Sequence, residues 1–344
     1  MDTLNLDIKE QYSRIKAEQP KSRIRDIART MGVGEAQLVA TGVGETAVRL
    51  EGDFREMIKE IQSMGKVMAL TRNNNVVHER KGVYHNVSFE GGGMVGLVLD
   101  PDIDLRLFMM HWKSGFAVNE NDRNSLQFFD KSGDAVHKIY LTGDSDLEAY
   151  QRFVEKYKAP EQSQDLTVSA YEAERPELPD TDIDVASFRE GWLGMQDTHE
   201  FFGLMGKYQL KRTQALRLAP EGHVKQVPND IARRILEAAA ERQVPVMVFV
   251  GSRGCIQIHT GTVTNLLETG PWFNVLDPDF NLHLRQDAIV SSYVVKKPSV
   301  DGIVTSLELF DEKGEMIVQF FGKRKPGIPE LESWRALVQD VADF

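Results

Sequence analysis

The segment of residues 192–202 (WLGMQDTHEFF) carries one imidazole among large apolar side chains. If the segment is helical, one face is formed by residues three or four positions apart, namely Phe188, Trp192, Met195, His199 and Phe202. A neutral imidazole set in an apolar wall can bind the iron of a flat, apolar cofactor. The alternative is a core helix whose histidine bonds a backbone carbonyl, and a lone histidine on an apolar stripe favours that alternative.

The sequence also contains an internal duplication. The segment at positions 99–107 (LDPDIDLRL) aligns with the segment at positions 276–284 (LDPDFNLHL). Further along the chain, positions 129–133 (FDKSG) align with positions 310–314 (FDEKG) at a slightly larger spacing. One short insertion accounts for the difference in spacing, so the repeated unit is a whole domain rather than a short solenoid repeat. We therefore predict two homologous halves.

The two halves differ at positions that could carry chemistry. When the alignment of LDPDIDLRL with LDPDFNLHL is continued toward the N-terminus at the same spacing, Ser22 stands opposite His199 and Glu35 stands opposite Arg212. Duplicated folds keep core residues more readily than ligands. The asymmetry of His199 therefore favours a functional role for this residue and predicts one site per chain.

Arg106 is a second residue that belongs to one half only, since its counterpart is His283. On a strand, Arg106 and Phe108 point to one face while Leu105 and Leu107 point to the other. The sequence thus predicts a cationic donor on the same strand face as an aromatic ring.

The elements that must position these residues indicate an α+β fold. Asp53 and Glu56 form a predicted capping box for a helix that ends near Gly65, and further helices are predicted at residues 229–242 and 333–341. Alternating or β-branched runs predict strands, of which the clearest are at residues 244–250, 280–284, 289–295 and 303–310. Asp-Pro and Gly turns between them, including Lys313-Gly314, favour antiparallel connections.

Residues 159–184 are rich in proline and acidic residues and show little apolar periodicity. This composition predicts a linker. We therefore predict an N-terminal repeat at residues 1–158 and a C-terminal repeat at residues 185–344.

The overall composition excludes several classes of function. A net charge of −11 over 344 residues argues against a broad surface for nucleic acid or anionic membranes. Because Cys255 is the single cysteine, an intramolecular disulfide is excluded. The favoured interpretation of Cys255 is a small core residue in a strand. The first residues lack the basic and apolar regions of a signal peptide, and no apolar run has the length of a membrane span. We predict a cytoplasmic protein without membrane insertion.

Two local patterns point to other functions only weakly. Residues 25–38 have the spacing of a helix-turn-helix, but Glu35 would then face phosphate, so a helical hairpin used for packing is favoured. Residues 42–47 (GVGETA) match a dinucleotide-binding pattern but follow a predicted helix rather than a strand. The sequence therefore predicts neither nucleic-acid binding nor its own flavin or nicotinamide site.

Several separate motifs together resemble one protein family. They are residues 197–202 (DTHEFF), 104–108 (DLRLF), 251–258 (GSRGCIQI), 297–298 (KP) and 304–310 (VTSLELF). Together, and in their order along the chain, they resemble the HemS/ChuS-type bacterial haem-utilisation proteins, and the resemblance covers essentially the whole chain. It implies two similar halves, each with a large antiparallel sheet flanked by helices, and haem in a cleft between the halves.

The resemblance also implies roles for individual residues. His199 matches the axial ligand to the haem iron, and Arg106 matches the distal donor in catalysis. The remaining matches are propionate-binding residues (Arg212, Lys297, Gln319 and Arg324) and apolar pocket residues (Phe108, Met247 and Phe249). Phe321 departs from the family, which often has a tyrosine there, so one hydrogen bond to a propionate is in doubt; Lys323 and Arg324 are candidates to replace it.

Two functions are compatible with these residues. The first is haem breakdown with release of iron, which needs an external reductase or a small-molecule reductant. The second is a haem carrier that receives haem from import machinery or delivers it to a separate oxygenase. A donor such as Arg106, which can stabilise developing negative charge on oxygen, favours the enzyme.

Overall fold

The computed structural model describes residues 3–173, 175–325 and 327–344. Its α-helices are α1 (Thr3–Glu18), α2 (Ile24–Met31), α3 (Glu35–Ala40), α4 (Phe54–Glu60), α5 (Leu147–Tyr157), α6 (Val185–Leu193), α7 (Glu200–Tyr208), α8 (Arg212–Arg217), α9 (Ile231–Glu241) and α10 (Glu332–Ala342). Short 3-10 turns connect several of the elements.

The strands of the first half of the chain are β1 (Ala47–Leu50), β2 (Gly65–Arg72), β3 (Val76–Gly82), β4 (Val87–Glu90), β5 (Val95–Leu99), β6 (Asp104–Phe108), β7 (Ser114–Glu120), β8 (Arg123–Phe129) and β9 (Ala135–Ser145). Those of the second half are β10 (Val224–Val227), β11 (Val246–Gly251), β12 (Cys255–Gly261), β13 (Leu266–Thr269), β14 (Trp272–Leu276), β15 (Phe280–Arg285), β16 (Ser291–Ser299), β17 (Gly302–Phe310) and β18 (Met316–Gly322).

The first compact unit comprises the described residues of Met1–Arg72, Glu79–Glu172 and Gly251–Gln257. Its principal strands lie in the order β1-β7-β8-β9-β2, and each of these neighbours pairs antiparallel. One face of this sheet packs against α4 and α5, and the other packs against α3. Each face is apolar because alternate side chains on each strand point to opposite sides.

The second unit comprises Asn73–His78, the described residues of Ala173–Val250, and those of Ile258–Phe344. Its principal strands lie in the order β10-β16-β17-β18-β11, again with antiparallel neighbours. Helices α9 and α10 pack on one face, and α6, α7 and α8 pack on the other. Each unit is thus an antiparallel sheet with helices on both faces.

These features confirm the α+β class and the prediction of two similar halves. The predicted helix at residues 229–242 corresponds to α9, and the predicted closing helix corresponds to α10. Gly314 has a φ of +74° in the predicted hairpin turn between β17 and β18, a conformation that glycine adopts without steric cost. Cys255 lies in β12 and is fully buried, as predicted.

The units are not continuous in sequence, because residues 73–78 group with the second unit and residues 251–257 with the first. Part of the segment predicted as a linker contacts the first unit. The side chain of Gln162 donates to the backbone of Arg49, and that of Gln164 donates to the carbonyl of Val43. The boundaries at residues 158 and 185 remain predictions.

The prediction of one helix through residues 188–202 is wrong. Helix α6 ends at Leu193, and α7 begins only at Glu200. Between them, the carboxylate of Asp197 accepts a hydrogen bond from the backbone N–H of His199 at 2.8 Å, a local bond that competes with helix continuation. His199 therefore sits at the N-cap of α7 instead of on a continuous apolar stripe.

Among the described residues, no helix combines the length and the apolar character needed to cross a membrane.

Candidate functional site

His199 presents its imidazole to the outside of the second unit, with 86% of the side chain exposed. The apolar face predicted around it divides: Trp192 and Met195 are buried, whereas Phe202 is exposed. Phe201 takes the buried position on α7 instead, where its ring packs edge-on against Trp192 at 4.9 Å. The predicted setting of His199 in an apolar wall is thus wrong for the unit taken by itself.

Asp197 fixes the orientation of this imidazole. Its Oδ1 lies 2.6 Å from Nδ1 of His199 and also accepts from the His199 backbone N–H. That backbone hydrogen bond lowers the pKa of Asp197, and the imidazole bond and the charge of Arg324 act in the same direction. A carboxylate on Nδ1 leaves Nε2 as the nitrogen that can bind a metal, which is the usual second-sphere arrangement of metal-binding histidines.

A buried carboxylate, Glu308 on β17, gathers the predicted propionate residues. Arg212 at the start of α8 donates to both carboxylate oxygens, from Nε at 2.7 Å and from Nη2 at 2.9 Å. Nζ of Lys297 donates to Oε1 at 2.7 Å, and Nε2 of Gln319 donates to the same oxygen at 3.1 Å. The hydroxyl of Ser306 adds another bond at 3.0 Å. Three of the four predicted propionate residues therefore converge on one point.

The charges of this cluster do not cancel. Arg212 and Lys297 supply two positive charges, and Glu308 supplies one negative charge, so one positive charge remains. Burial would raise the pKa of Glu308, but the charges of Arg212 and Lys297 hold it well below its usual range. Burial lowers the pKa of Lys297 to about 8, against the opposing effect of Glu308. The cluster thus holds one positive charge in excess beside the half-buried apolar residues of the same sheet.

Strand register explains why these residues share one face of the sheet. Glu308 on β17 is directly opposite Gln319 on β18, and Gln319 is directly opposite Phe249 on β11. Met247 is opposite Phe321 in the same pair of strands. Residues that are directly opposite point to the same side, and so do residues two apart on one strand. Half-buried apolar side chains therefore lie beside the charged cluster on this face.

Helix α7 connects the cluster to the neighbourhood of His199. The Arg212 guanidinium lies 5.2 Å from the ring centre of Phe201 and 5.8 Å from that of Phe202. Nζ of Lys297 lies 4.8 Å from the ring of Phe201. These cation–π contacts place the first turn of α7, which follows His199, directly over the cationic residues.

Arg324, the fourth predicted propionate residue, is outside the cluster. Its Nη2 lies 3.9 Å from Oδ2 of Asp301. Its charge nevertheless reaches Asp197, the partner of His199. Arg324 thus acts on the charge of Asp197 and is not among the described partners of Glu308. Phe321, at the position of the family tyrosine, packs its ring 4.8 Å from that of Phe249.

Arg106 and Phe108 belong to the first unit. Both are half-buried on one face of β6, and Leu105 and Leu107 are buried on the other, as predicted. Nη1 of Arg106 donates to the carboxylate of Asp104 and to the carbonyl of Leu105. Burial raises the pKa of Asp104 even though Arg106 acts to lower it. The guanidinium is thus held by a carboxylate on its own strand.

The first unit contains a helix-to-sheet ion pair with its charges reversed. Glu35 on α3 accepts from Nζ of Lys138 on β9 at 2.5 Å, and both side chains are buried. The spacing that aligns FDKSG with FDEKG also aligns Lys138 with Gln319 and Gln127 with Glu308. The acid is therefore on the helix in the first half and on the strand in the second, which explains why Glu35 stands opposite Arg212.

Glu308 and Asp197 were missed as functional candidates by reasoning from the sequence. A signal for Glu308 existed, because one acid in the otherwise uncharged run VTSLELF must be paired if the strand is buried on both faces. Asp197, two residues before a histidine at a helix start, had a weaker signal in the preference of aspartate for local backbone hydrogen bonds.

Comparison with known proteins identifies the family of the chain. The model of a protein family described as the haemin-degrading HemS.ChuX domain matches the chain twice, at residues 32–157 and at residues 209–341. The chain belongs to the HemS/ChuX family. The two matches independently support the duplication, since one family domain falls in each half.

Individual HemS/ChuX relatives match over nearly the whole chain. The hemin transport protein HmuS of Yersinia pestis is 39% identical over 339 residues, which cover 96% of each sequence. The structure of apo-PhuS, a heme-binding protein from Pseudomonas aeruginosa, is 46% identical with a TM-score of 0.95, covering 98% of this chain and 99% of that one. The heme-degrading enzyme ChuS of Escherichia coli O157:H7 is 35% identical with a TM-score of 0.91 and the same coverage.

Proposed function

We propose that this protein binds one haem on the second unit, with Nε2 of His199 as the axial ligand to iron. The observation that carries the proposal is the exposed imidazole of His199, whose Nδ1 is already held by Asp197. An exposed histidine without an orienting partner would lose more conformational entropy on binding a metal. The half-buried Phe249 and Phe321 rings supply apolar surface of the kind that haem requires.

The propionates of haem are proposed to bind the cationic residues beside this imidazole. Arg212 and Lys297 carry one positive charge in excess of Glu308, and Gln319 offers an amide at the same point. Arg324 lies on the Asp197 side and is proposed to contact the second propionate. Charge-assisted hydrogen bonds are the strong ones, and arginine fits a carboxylate through its planar fork. The described residues therefore fit haem in ligand chemistry, in charge and in apolar surface.

A matched pair of variants tests the ligand assignment. His199→Ala should lose the imidazole-type absorption spectrum of the ferric haem complex. His85→Ala is the control, because His85 is also partly exposed and also has its Nδ1 against an aspartate, Asp100, at 2.9 Å. The assignment is contradicted if both variants lose this spectrum equally, or if neither variant loses it. Retained affinity in His199→Ala does not, since the apolar and propionate contacts remain.

We further propose that the protein breaks haem down, with Arg106 as the distal donor. Breakdown opens the tetrapyrrole and releases iron, and it consumes oxygen and electrons from an external reductase or a small-molecule reductant. Arginine is a poor iron ligand because it stays protonated, but its N–H groups can donate to oxygen. Asp104 orients the guanidinium through one nitrogen, Nη1. A preorganised donor of this kind contributes about 2.7–4 kcal/mol to the stabilisation of developing negative charge.

The alternative function is a carrier that holds haem and passes it on. The contact between Arg106 and Asp104 favours this alternative, because it gives the guanidinium a structural role that needs no reaction. The two functions separate when ferric haem, a reductant, air and catalase are mixed with the protein. Loss of the main haem absorption band supports breakdown. An intact macrocycle under every reductant tried supports the carrier.

A further inference from the structure

The first unit contains a cavity of about 500 Å³ whose described lining includes none of the residues assigned to the proposed haem site. Its described lining consists of Met110, His111, Trp112, Lys113, Lys131, Ser169 and Tyr171. None of these lining residues carries a carboxylate. Ligand-binding cavities in proteins commonly have volumes of roughly 300–1,000 Å³, so the space suits a small organic molecule.

Positive charge concentrates around one aromatic ring of this cavity, that of Tyr171. The guanidinium carbon of Arg253, in the turn between β11 and β12, lies 3.8 Å from the ring centre. Nζ of Lys131 lies 4.4 Å from the same centre. Lys113 adds a third cation from the cavity wall. Cations gathered around one ring repel each other, and a bound anion would relieve this repulsion.

The nearby carboxylate does not neutralise this charge. Asp130 is buried, and its Oδ1 already accepts from the backbone N–H and hydroxyl of Ser132 and from the backbone N–H of Asp134. Its charge helps to raise the pKa of Tyr171, after burial as the larger cause. Asp134 is a second carboxylate in the field of Arg253, although its larger interaction is with Arg25. With both carboxylates counted, Arg253, Lys131 and Lys113 still exceed the anions by one charge.

Hydrogen bonds that do not involve the cationic side chains hold the cavity wall in place. The backbone N–H of Ser169 donates to the carbonyl of Lys131 at 2.7 Å, and Nε1 of Trp112 donates to the carbonyl of Gly254 at 3.0 Å. Gly254 cannot be larger, since a Cβ there would lie 2.8 Å from Val136 and 3.2 Å from His111. The position of Arg253 therefore follows from a tightly packed turn.

His111 reports on the field inside the cavity. Its ring centre lies 6.3 Å from that of Tyr171. Burial lowers the pKa of His111, and the charges of Arg253 and Lys131 lower it further, against the opposing charge of Asp130. A bound anion would cancel part of this positive field and raise the pKa of the imidazole.

We propose that this cavity binds a small organic anion carrying a carboxylate or phosphate group. Lys131 and Lys113 line the cavity and supply charge-assisted hydrogen bonds, while Met110 and Trp112 supply apolar surface for the ligand's carbon skeleton. Arg253 is outside the described lining, but its charge reaches His111 in the cavity wall and adds to the positive field. None of the described lining residues belongs to the haem site proposed for the second unit.

Calorimetric titration of the full chain without haem, with inorganic pyrophosphate and with citrate as probes, tests the proposal. A proton NMR titration of His111, identified by its loss in His111→Asn, reports whether each probe occupies this cavity. The expected result is saturable binding of one probe per chain with an upward shift of the His111 pKa. A preference for pyrophosphate identifies phosphate groups as the natural chemistry, and a preference for citrate identifies carboxylates.

The double variant Lys113→Gln/Lys131→Gln should weaken binding by a factor of roughly one hundred, about tenfold for each charge-assisted contact removed. The control is Arg233→Gln/Lys313→Gln, which makes the same change in net charge at positions distant from the cavity in sequence and outside its lining. Equal affinity in the two double variants overturns the proposal. So does the absence of any His111 shift with both probes at millimolar concentration.

Discussion

Replacing Glu308 with glutamine tests the buried charge cluster of the second unit. The change keeps the shape of the side chain and removes its negative charge. Oε1 now accepts from Lys297, Arg212, Ser306 and Gln319, and Oε2 accepts from Arg212. Glutamine can accept through one oxygen only, and its amide N–H groups would face other donors. Two buried cations would then lack their carboxylate.

Breaking a buried ion pair by removing one partner typically costs about 3–5 kcal/mol, and the geometry at Glu308 places the expected loss in that range. The unfolding free energy of the parent and Glu308→Gln should be compared in urea, with tryptophan fluorescence as the probe. Trp192 is a suitable reporter because it is buried against Phe201, which both cations contact. The control is Glu312→Gln in the exposed hairpin turn, expected to change stability by less than about 0.5 kcal/mol.

A second substitution sharpens this prediction. Lys297→Met removes one of the two cations, so in the Glu308→Gln background it should recover part of the lost stability. The double variant should then lose less unfolding free energy than the two single variants lose in sum, by a coupling energy of about 1–3 kcal/mol. A cost for Glu308→Gln no larger than that of Glu312→Gln, or strict additivity of the two substitutions, refutes the reasoning.

Four further predictions remain, of which three concern haem and one concerns the stability of the apo protein. In the Glu308→Gln background, which leaves no carboxylate of this cluster unpaired, Arg212→Ala/Lys297→Ala should speed haem dissociation by a few orders of magnitude relative to Glu308→Gln alone, since each contact is worth about 1.5–3 kcal/mol. The ligand spectrum should stay nearly intact. Stopped-flow transfer to an acceptor protein measures this, and an unchanged rate contradicts it. Haem affinity should fall as pH rises through about 8, where Lys297 loses its proton, and Lys297→Met should remove this dependence. The stability of the apo protein should change with pH in the opposite direction. Because the pKa of Lys297 is lowered to about 8 in the folded protein, the unfolded chain binds more protons above about pH 8. The unfolding free energy, measured relative to Lys297→Met, should therefore rise with pH in that range. Arg106→Ala should slow haem breakdown about 100-fold or more relative to the parent, and equal rates would exclude Arg106 as the distal donor.

The residues that could be predicted from sequence are those whose physical signal is local. The face of β6 that carries Arg106 followed from the two-residue period of a strand. The convergence of Arg212, Lys297 and Gln319 came from a family resemblance, and the structure brings these three together on a carboxylate that the resemblance did not name.

The remaining features depended on competition between local and longer-range interactions. Apolar spacing predicted a single helix through His199, but the backbone N–H of His199 instead donates to the Asp197 carboxylate, a local hydrogen bond that competes with helix continuation. The grouping of residues 251–257 with the first unit also has no local signature. Its contacts, such as the bond from the Ser252 hydroxyl to the carbonyl of Val136, join residues that are far apart in sequence.

The central claim is that His199 binds the iron of haem through Nε2. Resonance Raman spectroscopy of the ferrous haem complex tests this most directly, because the iron–histidine stretching band appears only when an imidazole is bound to iron. The band should be present in the parent and in His85→Ala and absent in His199→Ala. A band that persists unchanged in His199→Ala would contradict the claim and assign the ligand to another histidine.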